Sequence, residues 1–416
     1  MKTTQADVLI LGAGPSGLST ALHLLQLDPL LAPSILVLDK ARFPRPKLCA
    51  GGLVADAEIL LQRLGLDVSE VPHVDASAAR FDFEGKGLRI KIPKRHTLRI
   101  IRRDEFDNWL KEKAESRGIE IREQVTVREV KPDADGVTVV TDAGEFRAKV
   151  VVGADGSNGM TRKSVLPKAP VFTARVLEVL TPSLPPTDPS VIARAYPPEA
   201  ISSPARGLLR REDHPPRNDE QGREGVAFFD FLPVSENIAG YVWDFPTQVK
   251  GQPMRCWGIY DTNLLADETR PPLKSPLAEE MARHGFDLSQ YEIKGHPIRW
   301  FDPFNQFSVP RVLLVGDAAG ADPLFGEGIS IALGYGAVAA REIHRALKRG
   351  DFSFRCYRRR ILWSPLGWTL TARWLFANFV YTLKWKWFQI LLWRILKPVV
   401  IAASWVFVLN WGKRLK

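Results

Sequence analysis

Cysteine is scarce: Cys49, Cys256 and Cys356 are the only three in 416 residues. Thiols so far apart and odd in number form no disulfide framework and match no zinc spacing, so a reducing, cytoplasmic setting is expected and metal chemistry is not. A secretory leader is not expected either, because the first apolar run, Val8 to Leu11, is short and passes straight into a glycine turn. Acid is missing from the end of the chain. After Asp351 there is no Asp or Glu, yet that stretch holds twelve Lys and Arg and eight of the twelve Trp. Residues 1–351 carry 45 basic and 47 acidic side chains, so the formal charge of +10 belongs to the tail. A body without a basic surplus argues against nucleic-acid binding.

What is present is globular: 45% hydrophobic and 25% charged residues, in a chain long enough for two or three domains. Asp7 to Gly17 reads DVLILGAGPSG, and Leu18 to Leu27 reads as a helix. Gly12, Gly14 and Gly17 form G-x-G-x-x-G between that strand and helix. Gly12 permits a tight turn, Gly14 and Pro15 lie where a pyrophosphate meets the backbone, and Gly17 lets helix and strand pack closely. A second strand, Ile35 to Leu38, ends in Asp39 and Lys40, with Asp39 22 residues after Gly17. A carboxylate at about that spacing accepts hydrogen bonds from an adenosine ribose. There is no second G-x-G-x-x-G, so any further dinucleotide would bind only transiently.

Further elements follow in order. Residues 41–52 form a Pro- and Gly-punctuated loop, Asp56 to Leu64 reads as a helix, and Phe81 to Ile92 as a hairpin turning at Gly85-Lys86-Gly87. Arg103 to Arg117 has helical spacing. Three strands are expected at Ile119–Val130, Val137–Thr141 and Glu145–Val152, the last running into Gly153-Ala-Asp155-Gly156. Residues 180–225, rich in Pro, Arg and Glu, read as an excursion. Strands resume at Val226–Leu232, Gly240–Phe245 and Arg255–Tyr260, and Ser275 to His284 is a helix candidate. Arg311 to Val315 is another apolar strand, ending in Gly316-Asp317-Ala-Ala-Gly320, and a long helix follows from Gly328. In a parallel sheet the carboxyl ends of three such strands share one edge. A single dinucleotide along that edge would meet Asp39, the glycine turn and then Asp317 and the helix at Gly328. A nicotinamide cofactor does not need the third element, whereas FAD does.

GAGPSG, the R-x-x-F-D-x-x-L segment from Arg103 to Leu110, GADG at 153–156 and GDAAG at 316–320 together resemble the fingerprints of the p-hydroxybenzoate-hydroxylase-like flavoproteins. The resemblance implies an α/β fold: a Rossmann-like FAD-binding domain, an inserted antiparallel β-sheet substrate domain and, here, a C-terminal helical tail. The corresponding boundaries are 1–72, 98–166 and 297–350 for the FAD domain, 73–97 and 167–296 for the substrate domain, and 351–416 for the tail. It further implies Arg103 near the FAD phosphates, Val125 near the adenine, and Gly316 and Asp317 at the ribityl chain. Gly159 stands where the family often has Ser, which weakens Asp155 as a direct contact.

Lys47-Leu-Cys49-Ala50-Gly51-Gly52 resembles the K-x-C-G-G loop of the geranylgeranyl reductase family, with Ala50 in place of a Gly. Gly240-Tyr241-Val-Trp243-Asp-Phe245-Pro246 resembles its G-Y-x-W-x-F-P segment, although Thr247 stands where Lys often follows. Pro323 to Ile329 is similar to its P-x-x-G-E-G-I loop beside the flavin, which carries Gly326, Gly328 and Ile329. Flavin halogenases are relatives with W-x-W-x-I-P in the matching segment, against which Tyr241 and Phe245 argue. The resemblance implies reduction of isoprenoid double bonds by reduced FAD, with Cys49, Tyr241 and Trp243 around the chemistry, Cys49, Ala50 and Gly52 near the flavin, and NADPH or a reduced ferredoxin as a transient donor. The alternatives are a flavin monooxygenase of an aromatic or terpenoid substrate and a non-catalytic flavoprotein. On physical grounds alone, Cys49 is either a group beside the flavin or a small buried residue. Tyr241 and Trp243 are either a substrate wall or sheet-face core.

Residues 352–416 allow three readings. Ile361–Leu383 and Trp387–Trp411 approach spanning length, but Pro365 and Gly367 interrupt the first, and Arg394, Lys397 and Pro398 the second. At 100° per residue, Lys386, Gln389, Arg394 and Lys397 fall in one arc, as in a helix lying on an anionic bilayer surface. The remaining reading is a helical subdomain with Trp in its core. The oligomeric state is not legible.

Overall fold

The computed structural model describes residues 4–183, 225–265 and 271–415, so most of the excursion expected over 180–225 lies outside the described residues. Short apolar strands pair in parallel in the order Val312–Leu314, Gly144–Gly153, Thr4–Leu11, Ile35–Leu38 and Glu120–Arg122. Val8–Leu11 and Ile35–Leu38 are buried throughout, which is why they read as continuous apolar runs rather than alternating ones. Register is what builds the ligand edge. Leu11 sits opposite both Gly153 and Leu38, and Gly153 opposite Leu314. The segments beginning at Gly12, Asp39, Ala154 and Val315 therefore leave the sheet side by side.

Helix Pro15–Leu27 packs against the long helix Ile329–Arg349. The approach is close: a Cβ on Gly336 would overlap Ser19, whose hydroxyl donates to the Leu333 carbonyl at 2.8 Å. The strand expected at Ile119–Val130 is two strands. Glu120–Arg122 joins the parallel sheet and Val127–Pro132 joins an antiparallel meander. The break falls at Gln124, where φ is +61°, and lets the Val125 N–H reach the Asp39 carbonyl at 2.9 Å. One strand could not serve two sheet directions.

The second layer is a seven-stranded sheet ordered Lys294–Arg299, Thr173–Pro182, Gln252–Asp261, Gly240–Val249, Val226–Asp230, Ala78–Phe83 and Lys86–Ile90. It is antiparallel except where Val226–Asp230 runs parallel to Ala78–Phe83. Its outer face buries Val179, Trp257 and Ile259 against helix Lys274–Ala282. A three-stranded sheet of Gly52–Leu53, Leu98–Ile101 and His73–Ala76 lies between the layers in sequence.

The tail folds back onto both layers. Trp411 is buried where it would collide with any side chain at Gly334, and the Asp56 carboxylate accepts the Asn410 and Gly412 N–H groups at 3.0 and 2.7 Å. The single polar arc expected along 386–397 does not form. Gln389 is fully buried, donating to the Val380 and Leu383 carbonyls and accepting from the Trp393 indole. Lys386 and Arg394 pair with Glu84 of the substrate sheet. Local winding contributes: Leu391–Ile395 is a π-turn, which offsets Arg394 and Lys397 from the 100° periodicity on which the arc depends. Among the described residues no single helix is long and apolar enough to cross a membrane, and the one pair that qualifies together is bent by 76°.

Candidate functional site

A cavity of about 1180 Å³ runs from the ligand edge of the parallel sheet to the inner face of the second layer. That exceeds the ~300–1,000 Å³ of an ordinary small-molecule pocket and leaves room for an extended cofactor and a second ligand. The residues singled out from the sequence line it, except Gly17 and Gly316. Those two serve packing. A Cβ on Gly17 would overlap the Gly12 carbonyl oxygen, and at Gly316, where φ is +57°, it would come within 2.5 Å of Ser16 Oγ.

At the cofactor end, Gly12 has φ +112° and no room for a side chain against Ala154, whereas a Cβ on Gly14 would meet nothing nearer than the Arg45 guanidinium at 3.7 Å. The turn is thus closed behind and open in front, as backbone approach by a pyrophosphate requires. The Asp39 carboxylate is oriented by the Ala13 and Ala41 N–H groups at 2.7 and 2.8 Å. Lys40 and Val125 complete that end. Arg103 forks onto the buried Asp107 with two 2.8 Å bonds, and Arg45 approaches the same carboxylate at 3.3 Å. Two cations on one acid leave a positive excess facing the cavity. Asp317 lines the far side with no side-chain hydrogen bond among the described residues. Open backbone, excess positive charge and an accessible carboxylate along one edge fit the phosphates and ribityl hydroxyls of FAD.

Asp155 behaves differently. Its carboxylate accepts the Thr161 N–H and hydroxyl at 2.8 and 2.9 Å and presses against Gly159, where any Cβ would overlap it. The Gly at 159 therefore belongs with a carboxylate turned back onto its own loop.

Around the other half, the Cys49 thiol accepts the Gly51 N–H at 3.3 Å, and burial pushes its pKa up, so it stays protonated. The Tyr241 hydroxyl donates to the Phe325 carbonyl, Tyr260 to Pro323 at 3.1 Å and Tyr381 to Leu324. Three phenols thus grip three consecutive carbonyls ahead of Gly326, where φ is +64°. Tyr241, expected at the chemistry, has its proton committed to this loop. Trp243 lines the cavity with its indole beside the Cys256 thiol.

Sequence reasoning missed several residues here. The Lys47 ammonium lies 2.6 Å from His296 Nε2. Burial and the Lys47 charge hold His296 down at about 4, so the neutral ring accepts from Lys47. Glu178 is buried in the wall. The tail supplies Val380, Trp393 and Val400, and Trp393 stacks on Phe231 at 4.2 Å. Arg373, 1% exposed, bridges Asp322 at 2.8 Å and Glu327 at 3.1 Å, on either side of the gripped loop. Only its mid-run charge hinted at this.

A family model described as FAD binding domain matches residues 5–349, and the chain belongs to that family. It is an FAD-dependent oxidoreductase with the expected Rossmann-like and β-sheet layers. Among curated proteins it is 26% identical over 373 residues to digeranylgeranylglycerophospholipid reductase 3 of Methanosphaera stadtmanae, covering 85% of this chain and 81% of the relative. Among solved structures, a geranylgeranyl bacteriochlorophyll reductase-like protein from Thermoplasma acidophilum superposes with TM-score 0.73 at 19% identity, covering 99% of this chain and 98% of its own. A flavin-dependent brominase superposes with TM-score 0.66 at 19% identity over 99% and 95%. At such identities the structural likeness speaks to the fold.

Proposed function

We propose that this member of the FAD-binding family reduces double bonds of a geranylgeranyl or similar isoprenoid chain. The observation that carries the reading is the part of the cavity on the second layer, which is walled by Phe81, Phe229, Tyr241, Trp243 and Phe245, with few polar handles. Such a wall suits an extended apolar chain. The segments that build it are those resembling geranylgeranyl reductases, and the Methanosphaera relative bears such a name.

When bound and reduced, FAD supplies a hydride. The chain does the rest. The glycine turn and Arg103 would hold the FAD phosphates, and Asp39 and Asp317 its hydroxyls. The Cys49 loop and Gly326–Ile329 flank the reacting end, with Cys49 a neutral thiol. Tyr241, Tyr260 and Tyr381 fix the loop between them. The aromatic wall positions the alkene and excludes water. NADPH or a reduced ferredoxin is the transient donor, in keeping with the lone G-x-G-x-x-G.

The tail extends the reading to a membrane surface. Trp363, Trp368, Trp385, Trp387, Ile395 and Val399 are exposed on a segment without acid, and Phe379, Leu396 and Val399 both line the cavity and face outward. An isoprenoid would enter there from an anionic bilayer.

The test is anaerobic. Protein reduced with dithionite is mixed with geranylgeranyl lipids, then separately with oxygen. Flavin reoxidation that depends on the alkene supports the reading. Reoxidation that requires oxygen, through a long-lived hydroperoxide spectrum and with hydroxylation of an added substrate, supports a monooxygenase.

A further inference from the structure

Cross-strand register sets Phe81, Phe229, Trp243, Gly258 and Glu178 in one row across five strands of the second layer. Directly opposed residues share a face, and Phe81, Phe229, Trp243 and Glu178 all line the cavity. Gly258 is the gap in the row. A Cβ there would overlap the Trp243 indole, so the indole lies over the residue that separates it from Glu178. An aromatic row thus ends in a carboxyl.

That carboxyl is only half satisfied: the Cys49 N–H and the Cys256 thiol reach it, and among the described residues no cation pairs with it in contact. Glu178 is 6% exposed, and its Oε2 has no hydrogen-bond partner. A buried acid with one oxygen unpartnered on an apolar face costs stability and is retained where it has work to do. Burial raises its pKa to about 7. The charges of Arg102 and Lys294, the Cys49 N–H and the Cys256 thiol act in the opposite sense. His296 lines the cavity one row away, opposite Val176, paired with Lys47. Of these groups, Glu178 is the one that both carries a proton near neutrality and releases it readily.

Resting on the reductase reading, we propose that Glu178 is the proton donor. Its carboxylic O–H delivers H⁺ to one alkene carbon, and the hydride from the reduced flavin, the two-electron reductant, bonds to the other. The π pair forms the new C–H bond to the proton, the hydride pair forms the second, and Glu178 is left as a carboxylate that regains a proton from water.

The test uses full-length, FAD-loaded protein with Glu178→Gln and Glu178→Asp. Infrared difference titration of the resting wild type is expected to show a carboxylic acid band titrating near pH ~7 and missing in Glu178→Gln. FAD affinity and dithionite reduction stay unchanged in Glu178→Gln, while alkene-dependent reoxidation slows by about 10²–10⁴-fold. The wild-type rate falls as pH rises through the titration, and Glu178→Gln loses that limb. Glu178→Asp keeps the limb with a displaced midpoint, which a merely structural carboxyl would not do. Reoxidation of Glu178→Gln within about threefold of wild type, with the limb intact, overturns the proton-donor role alone. A wild type that reduces no isoprenoid overturns the reductase reading and the donor role together.

Discussion

Replacing Arg373 with Leu tests how the tail holds the Pro323–Ile329 loop. In the wild type its guanidinium, 1% exposed, meets Asp322 and Glu327 at 2.8 and 3.1 Å and donates to the Val408 carbonyl at 2.8 Å. Leu fills some of the volume but leaves Asp322, which is fully buried, without its counter-charge. Even beside Arg373, burial holds the Asp322 carboxyl above its usual range. Breaking a buried pair from one side costs about 3–5 kcal/mol. The sign with pH follows from linkage. In the variant the folded pKa of Asp322 rises further above the unfolded value of about 4, so the folded state of the variant binds the extra proton. The deficit grows toward alkaline pH and shrinks as pH falls toward ~4. The assay is urea unfolding of both proteins across that range, with FAD affinity measured alongside. Glu327 accepts the Ser330 N–H and hydroxyl at 2.8 and 2.7 Å at the start of the long helix, so FAD affinity is expected to fall as well. Adding Asp322→Asn, which keeps an acceptor for the Leu324 N–H, recovers much of the loss. A deficit below ~1 kcal/mol, or one indifferent to pH, refutes the reasoning.

Three further outcomes are expected. Gly14→Val places methyl groups where the cavity is open, so it abolishes FAD retention on gel filtration while the melting temperature of the apoprotein changes little. Tyr241→Phe removes one of the three phenol grips and leaves the Phe325 carbonyl without its donor, costing about 1–3 kcal/mol in thermal or urea unfolding. Its rate loss should be independent of pH, because the phenol is not the acid. Trp385→Ser with Trp387→Ser removes two exposed, stacked indoles and should cut sedimentation with anionic liposomes without changing alkene reduction in detergent.

The flavin half of the site was legible because its signals are local. Val8–Leu11 and Ile35–Leu38 announce buried parallel strands by being apolar throughout, and each glycine turn follows its strand directly. The substrate half was legible in its parts but not in its assembly. Tyr241 and Trp243 could be placed on one face by alternation. That Trp243 leans over Gly258 toward Glu178 depends on pairings between residues far apart in the chain. Lys47 and His296, separated by 249 positions, give no joint signal. The tail misled for a physical reason: its composition is that of an interfacial helix, but Gln389 is buried by bonding the Val380 and Leu383 carbonyls, and a π-turn at Leu391–Ile395 breaks the helical register beside Trp393. Trp363, Trp368, Trp385 and Trp387 remain exposed.

The measurement that bears most directly on the central claim is the mass of the lipid product. Dithionite-reduced protein is incubated without oxygen with a geranylgeranyl lipid in deuterated water, and the product is analysed by mass spectrometry. The account predicts one saturated double bond per flavin oxidised, with the alkene proton drawn from solvent-exchanged acid and therefore carrying deuterium. An unchanged lipid, or a product that gains oxygen only when air is admitted, would contradict it.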